Sequence, residues 1–322
     1  MRTAVVNVLC EMAQADDSIW LLSGDLGFSV LEDFVRRFPA RFVNIGVAEQ
    51  NMAGIAAGLA MSGKQVFMYS MVNFSTLRCL EQIRNDICYH NLPVKIIGIG
   101  GGFWYGTQGY THYGIEDMSI MGSLPNMTVV VPADSMEAGL AMRAVMTVPG
   151  PCYIRIERCN EFFVHKGRPD FRIGKAIELR EGKDIMIVST GTLLEEAVKA
   201  ADILSGRNIR AGVCSMPFTR PLDRDIIMNY AGRYSLIATL EEGQVSGGFG
   251  SLVAEVLAEM DHRKARLMRF GIAGDLLCGG YTQAEARKRM GLDAATLADK
   301  ISGSFKDLFS CAEDHGMNAQ SE

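Results

Sequence analysis

Short apolar runs rich in valine and isoleucine recur along the chain, and between them apolar positions return every three or four residues. The runs predict strands over residues 19–22, 65–69, 94–99, 128–131 and 153–156. The longer spacing predicts helices over 3–15, 48–61, 75–90, 115–121 and 135–146. Strands that are apolar on both faces and separated by helices belong in a parallel sheet covered on both sides. The segment 48–61 is built largely of alanine and glycine. Small side chains let a helix approach its neighbours closely, so deep burial is expected there.

The rhythm lapses over residues 162–180 into charged, irregular sequence that includes His165-Lys166-Gly167-Arg168-Pro169, which reads as a linker. It then restarts, with strands expected over 184–189, 210–215, 235–240 and 267–270 and helices over 194–204 and 249–259. Asp293 is placed to cap a helix running to Ile301, and residues 312–322 read as a frayed end. The expected fold class is α/β, with two domains that are each a mainly parallel sheet flanked by helices. The first covers residues 1–165 and the second 175–322. A length of 322 residues agrees, since domains average roughly 150.

Composition narrows the function classes. Hydrophobic residues make up 48% and charged residues 21%, an ordinary globular balance. Lys+Arg 32 against Asp+Glu 37 leaves a net charge of −5 with no basic run, which argues against nucleic acid as a partner. No apolar stretch reaches the length of a membrane span or forms a secretory leader, so a cytoplasmic protein is expected. The eight cysteines lack a Cys-x-x-Cys spacing and the five histidines make no HxxxH or HxH pair, so a metal cage is not expected. The glycines from Gly98 to Gly102 fit no G-x-G-x-x-G register, and neither a P-loop nor a G-x-S-x-G elbow is found.

One segment carries more. Asn44-Ile45-Gly46-Val47-Ala48-Glu49-Gln50-Asn51-Met52 resembles the glutamate motif of the transketolase group of thiamine diphosphate enzymes. The flanking blocks agree with that group in order and spacing. They are Leu22-Ser23-Gly24-Asp25-Leu26, Gln82-Ile83-Arg84-Asn85-Asp86, Gly109-Tyr110-Thr111-His112, Leu124-Pro125-Asn126-Met127 and Val131-Pro132-Ala133-Asp134. In the second half, Leu240-Glu241-Glu242-Gly243, Gly247-Gly248-Phe249-Gly250 and Gly291-Leu292-Asp293 resemble the family's C-terminal domain. The family holds Mg²⁺ and the diphosphate with a Gly-Asp-Gly motif. Here Gly24-Asp25 and Gly274-Asp275 are both followed by leucine. The chain therefore resembles the pyrimidine-binding and C-terminal half of a split transketolase, whose diphosphate-binding half would be another polypeptide.

The resemblance implies roles. Glu49 would hydrogen-bond N1′ of the aminopyrimidine and so promote activation of the thiazolium carbon. That task needs a carboxyl that keeps or shares a proton, which an apolar setting favours. Phe74 would stack on the pyrimidine. Met71 and Leu77 stand where the family has further aromatic residues, and Asp25 joins the cofactor-binding set. His112 would donate to, or exchange a proton with, an oxygen at the reacting carbonyl. Arg2, Ser29 and Arg158 fall where the family holds a sugar phosphate, a task suited to arginine forks. Gln108 replaces an aspartate that reads the neighbouring hydroxyl, and Gly100 replaces a histidine. Gly100–Gly102 would leave room for a larger sugar, with Trp104 and Tyr105 as replacement contacts.

The expected activity is transfer of a two-carbon ketol unit from a phosphorylated or otherwise anionic ketose to an aldose. The cofactors are thiamine diphosphate and Mg²⁺, the latter bound mainly by the partner subunit, and a heterotetramer is the expected assembly. A 1-deoxyxylulose-5-phosphate synthase-like condensation, the β subunit of a 2-oxo acid dehydrogenase and a non-catalytic partner are the alternatives.

Overall fold

The computed structural model describes residues 1–157, 163–274 and 279–317, with side chains of the last helix as far as 308. Twelve strands follow one another among the described residues. They are β1 (Ile19–Ser23), β2 (Phe42–Asn44), β3 (Gln65–Met71), β4 (Val94–Ile99), β5 (Thr128–Val130), β6 (Cys152–Ile156), β7 (Ile177–Arg180), β8 (Ile185–Ser189), β9 (Ala211–Ser215), β10 (Phe218–Arg220), β11 (Leu236–Gln244) and β12 (Arg266–Ile272). They form a seven-stranded sheet in the order β10-β5-β6-β4-β3-β1-β2 and a five-stranded sheet in the order β12-β11-β8-β9-β7. Pairing is parallel except for β10 on β5 and β7 on β9, both antiparallel. The α/β fold with two mostly parallel sheets follows the expectation.

In-register rows explain why both faces are apolar. Leu21 lies opposite Phe67, and Ile97 opposite Ile154. These four point into one cluster with Val5, Leu9 and Ala13 of the helix Arg2–Ala15 and with Ala138, Ala141 and Val145 of the helix Ser135–Val145. Their neighbours Leu22, Met68, Ile96 and Tyr153 point the other way, against Met52, Ala53, Ala56 and Ala60 of the helix Glu49–Met61. Each Leu or Ile buried this way stabilises by about 1.5–3 kcal/mol. The second sheet repeats the scheme, with Ile185 and Ile187 in one cluster and Met186 and Val188 in another.

Four expectations are corrected. The helix expected over 75–90 is three pieces: Val72–Ser75, Leu80–Gln82 and a π-type turn Ile83–Cys88. Interrupting the run lets Arg78 leave the helix face. The helix Glu49–Met61 buries only one side in this chain; Gln50, Asn51, Gly54, Gly58 and Met61 are exposed. The linker ends sooner, because Ile177–Arg180 pairs with β9. The final helix, whose start is marked by the Asp293 carboxylate accepting from Thr296 N (3.1 Å), runs to Met317 and so covers residues expected to fray.

Cys10, Cys79, Cys88, Cys152 and Cys214 are buried and unpaired, and burial pushes the thiols of Cys79 and Cys88 up to about 12. Among the described residues no helix is long and apolar enough to cross a membrane.

Candidate active site

The carboxyl ends of β1, β3 and β4 open on one side of the first sheet, where ligands of parallel α/β folds gather. Glu49 begins its helix there and is fully buried. Its Oε1 accepts from Ser70 Oγ at 2.9 Å and its Oε2 from an Arg78 guanidinium nitrogen at 2.6 Å. A Cβ on Gly24 would stand 3.0 Å from Oε1, so the glycine at the end of β1 gives the carboxylate its place. The expected apolar setting is therefore corrected: the methylene groups are enclosed by small residues, but the head is ion-paired.

Arg78 also lies 4.0 Å from the Phe74 ring centroid, a cation–π contact. From Phe74 a string of rings continues. His112 is 6.0 Å away edge-on, and Tyr105 is 5.8 Å beyond that. Trp104 stacks 6.2 Å from Tyr105, and the Arg2 guanidinium lies 5.5 Å from Trp104. Thr111 Oγ1 is 2.9 Å from His112 Nδ1, which fixes the imidazole edge. Met71 is half-buried and Leu77 is 41% exposed on the same segment as Phe74. The structure thus brings Glu49, Phe74, His112 and Arg2 into one continuous groove.

Other expected residues behave differently. Asp25 has φ 58° and is exposed; its Oδ1 accepts from Asn44 Nδ2 at 2.9 Å. Ser29 has φ 62°, and its main-chain N–H is taken by Glu32 at 2.5 Å. Gln108 is exposed in a single turn, Gly106–Gln108. Arg158 lies outside the described residues. The room expected at Gly100–Gly102 is already filled. A Cβ at Gly100 would fall inside the Tyr105 ring, one at Gly101 would meet Arg155 and one at Gly102 would meet Glu242. Tyr105 therefore takes the space that a side chain at position 100 would use. Sequence reading does not find Ser70 and Arg78, because nothing in local spacing marks a contact made 29 residues away.

The transketolase pyrimidine-binding domain matches residues 1–161, and the transketolase C-terminal domain matches residues 174–297. The chain belongs to the transketolase family. A 6-deoxy-6-sulfo-D-fructose transketolase subunit of Clostridium sp. (strain MSTE9) is 38% identical over 260 residues, covering 80% of this chain and 81% of that one. An apulose-4-phosphate transketolase subunit of Phocaeicola vulgatus is 35% identical over 260 residues, covering 80% and 83%. A solved structure described as a split gene transketolase, inactive β4 tetramer, superposes with a TM-score of 0.84 at 35% identity, covering 95% of this chain and 97% of that one. The chain is thus a transferase subunit of a thiamine-dependent family, of the split kind, and its relatives imply a partner subunit and an oligomer.

Proposed function

We propose that this chain completes a thiamine diphosphate site with a separate diphosphate-binding subunit and that the pair transfers a two-carbon ketol unit from an anionic ketose to an aldose. The observation that carries the reading is the buried Glu49 carboxylate, seated against Gly24 beside Phe74 and His112. The residues fit the cofactor's aminopyrimidine end: a buried acid for N1′, an aromatic face, and the flanking Met71 and Leu77. When bound, the cofactor supplies a nucleophilic thiazolium carbon. Glu49 holds the aminopyrimidine and is steadied by Ser70. Phe74 contributes a stacked contact of about 1 kcal/mol. His112 donates to the oxygen at the reacting carbonyl or moves its proton. Arg2 receives the distal anion as a fork, with Ser29 and Arg158 assigned to the same end and Asp25 to the cofactor side.

Two sugars named for relatives end in a sulfonate and a phosphate respectively, which supports an anionic end group as the feature recognised. The diphosphate and Mg²⁺ belong to the partner in this reading, since the Gly-Asp-Gly motif is missing here. Exposed Val47, Met61 and Leu77 beside the site supply apolar surface for that partner, in a heterotetramer. A cytoplasmic location is part of the proposal and is supported by the unpaired buried thiols.

The test is Glu49→Ala in the reconstituted complex. Turnover of ketose donors is expected to fall by at least a hundredfold while co-purification with the partner is retained; unchanged turnover refutes the reading. Pyruvate offered as donor to the wild-type complex tests the 1-deoxyxylulose alternative.

A further inference from the structure

The Glu241-Glu242 pair in the second half has no part in the chemistry above, yet Glu242 reaches back to the loop that carries Tyr105 and His112. That loop has a neck. Gly102 and Gly114 exchange both main-chain hydrogen bonds, at 2.6 and 3.1 Å, and residues 103–113 hang between them. Glu242, at the end of β11, is 1% exposed. Its Oε1 accepts the main-chain N–H of Phe103 at 2.7 Å and the amide of Gln283 at 3.0 Å. Its Oε2 accepts from Arg287 Nε at 2.6 Å, and Arg287 is in turn held by Thr192 Oγ1 at 2.7 Å. The main-chain oxygen of Glu242 receives the fully buried Arg155, which also donates to the oxygen of Gly114 at 2.7 Å. Both sides of the neck are thereby bound to one residue of the other domain.

Side-chain packing joins the same two parts. Phe103 and Tyr113 are 1% exposed, meet edge-on at 5.1 Å and share a small cluster with Ile272 and Ala286 of the second half. Gly102 has φ +66°, and a Cβ there would come within 2.5 Å of the Glu242 carboxylate, so the neck is shaped to admit that side chain. A buried carboxylate is costly unless every oxygen is partnered, as both are in Glu242. An apolar side chain would pack in this place but would leave the Phe103 N–H without an acceptor.

We infer that Glu242, braced by Arg287, is a positioning residue through which the C-terminal domain fixes the loop carrying Tyr105 and His112. The inference rests on the proposed function for its kinetic consequence, but not for its structural one. Displacement of a reacting group by about 1 Å costs on the order of a hundredfold in rate, so a loosened neck acts on kcat.

The chain has two tryptophans, Trp20 in β1 and Trp104 in the loop. In a Trp20→Phe background Trp104 alone reports loop order. Glu242→Ala is expected to raise acrylamide quenching of Trp104 at least twofold in the full chain. In the reconstituted complex it should lower kcat tenfold or more, with KM for thiamine diphosphate within twofold. Glu242→Gln retains an acceptor for Phe103 and is expected to fall between wild type and the alanine variant. Ser215→Ala, which removes a different bond between the two halves (to Glu137, 2.8 Å), should leave Trp104 quenching unchanged. If Glu242→Ala does not fold, Gln283→Ala is read the same way, because it strips one of the two donors from Oε1. Unchanged quenching in a folded Glu242 or Gln283 variant overturns the inference, as does an equal effect of Ser215→Ala. A wild-type complex without ketose turnover would sink the proposed function and leave the quenching experiment to judge the neck.

Discussion

The Arg78–Glu49 pair is the sharpest local feature of the groove, because it joins a fully buried acid to a cation that is 38% exposed. Arg78→Met leaves the acid with Ser70 as its hydrogen-bond donor among the described side chains. Solvent reaches the guanidinium, so the pair is discounted from the full penalty of a buried one. The expected loss is about 1–2 kcal/mol in urea unfolding. Lysine should restore only part of it, lacking the planar fork that stacks on Phe74. Glu241 makes a second prediction. Burial pushes its carboxyl up to about 7 against its bonds to Phe249 N and Gly250 N, both 2.8 Å. Its folded pKa stands above the unfolded value, so its stabilising share is present below about pH 4.5 and lost as pH rises through 7. The stability advantage of wild type over Glu241→Gln should therefore shrink by up to about 3 kcal/mol between pH 5 and 8. Urea titrations at several pH values check it; a constant difference refutes it. Glu49 also marks the limit of sequence reading. The acid stands out because its motif is local, whereas its partner Arg78 comes from a separate turn that only tertiary packing brings near.

Elements are legible where burial and periodicity agree. The strand expected over 94–99 is Val94–Ile99, buried along its whole length. The helix expected over 75–90 fails because apolar spacing cannot separate a continuous helix from short turns joined by a π-type bulge, which keeps the same residues inside. The short edge strand Phe42–Asn44 is invisible for the opposite reason: three residues show no period. The glycine loop misleads in a third way. Its glycines suggest open space, but φ values of +93° at Gly100 and +66° at Gly102 show a backbone turned to admit other side chains. Gly100→Ala must strain that turn and expel the Tyr105 ring. The expected cost is about 1–3 kcal/mol, seen as a lower melting temperature, together with a raised KM for the sugar. A variant with wild-type melting and kinetics would show that Tyr105 does not depend on the notch.

At the scale of the whole molecule, the division into two domains hides a crossing of the chain. Strand β10 belongs by sequence to the second half, yet it forms the edge of the first sheet, with Phe218 opposite Val130 and Pro217 O accepting from Val131 N at 2.7 Å. Phe218 is fully buried in the cluster that holds Leu21 and Ile97. The two halves meet again at His165. Burial opposes its charged ring, but the hydrogen bond and charge of Glu137, with Asp134 nearby, outweigh that and raise its pKa. Glu137 also accepts from Ser215 Oγ of the second sheet. Arg155 makes a third junction. With a strand, an aromatic anchor and buried charges shared, neither half can open without exposing the other's core. The full chain should therefore melt in one transition, with calorimetric and van't Hoff enthalpies agreeing. Phe218→Ala should lower that transition by about 3–5 kcal/mol without splitting it. Two resolved transitions in the wild-type chain would mean that the shared strand does not couple the halves, and a loop pinned from the second half could then loosen while the first remained folded.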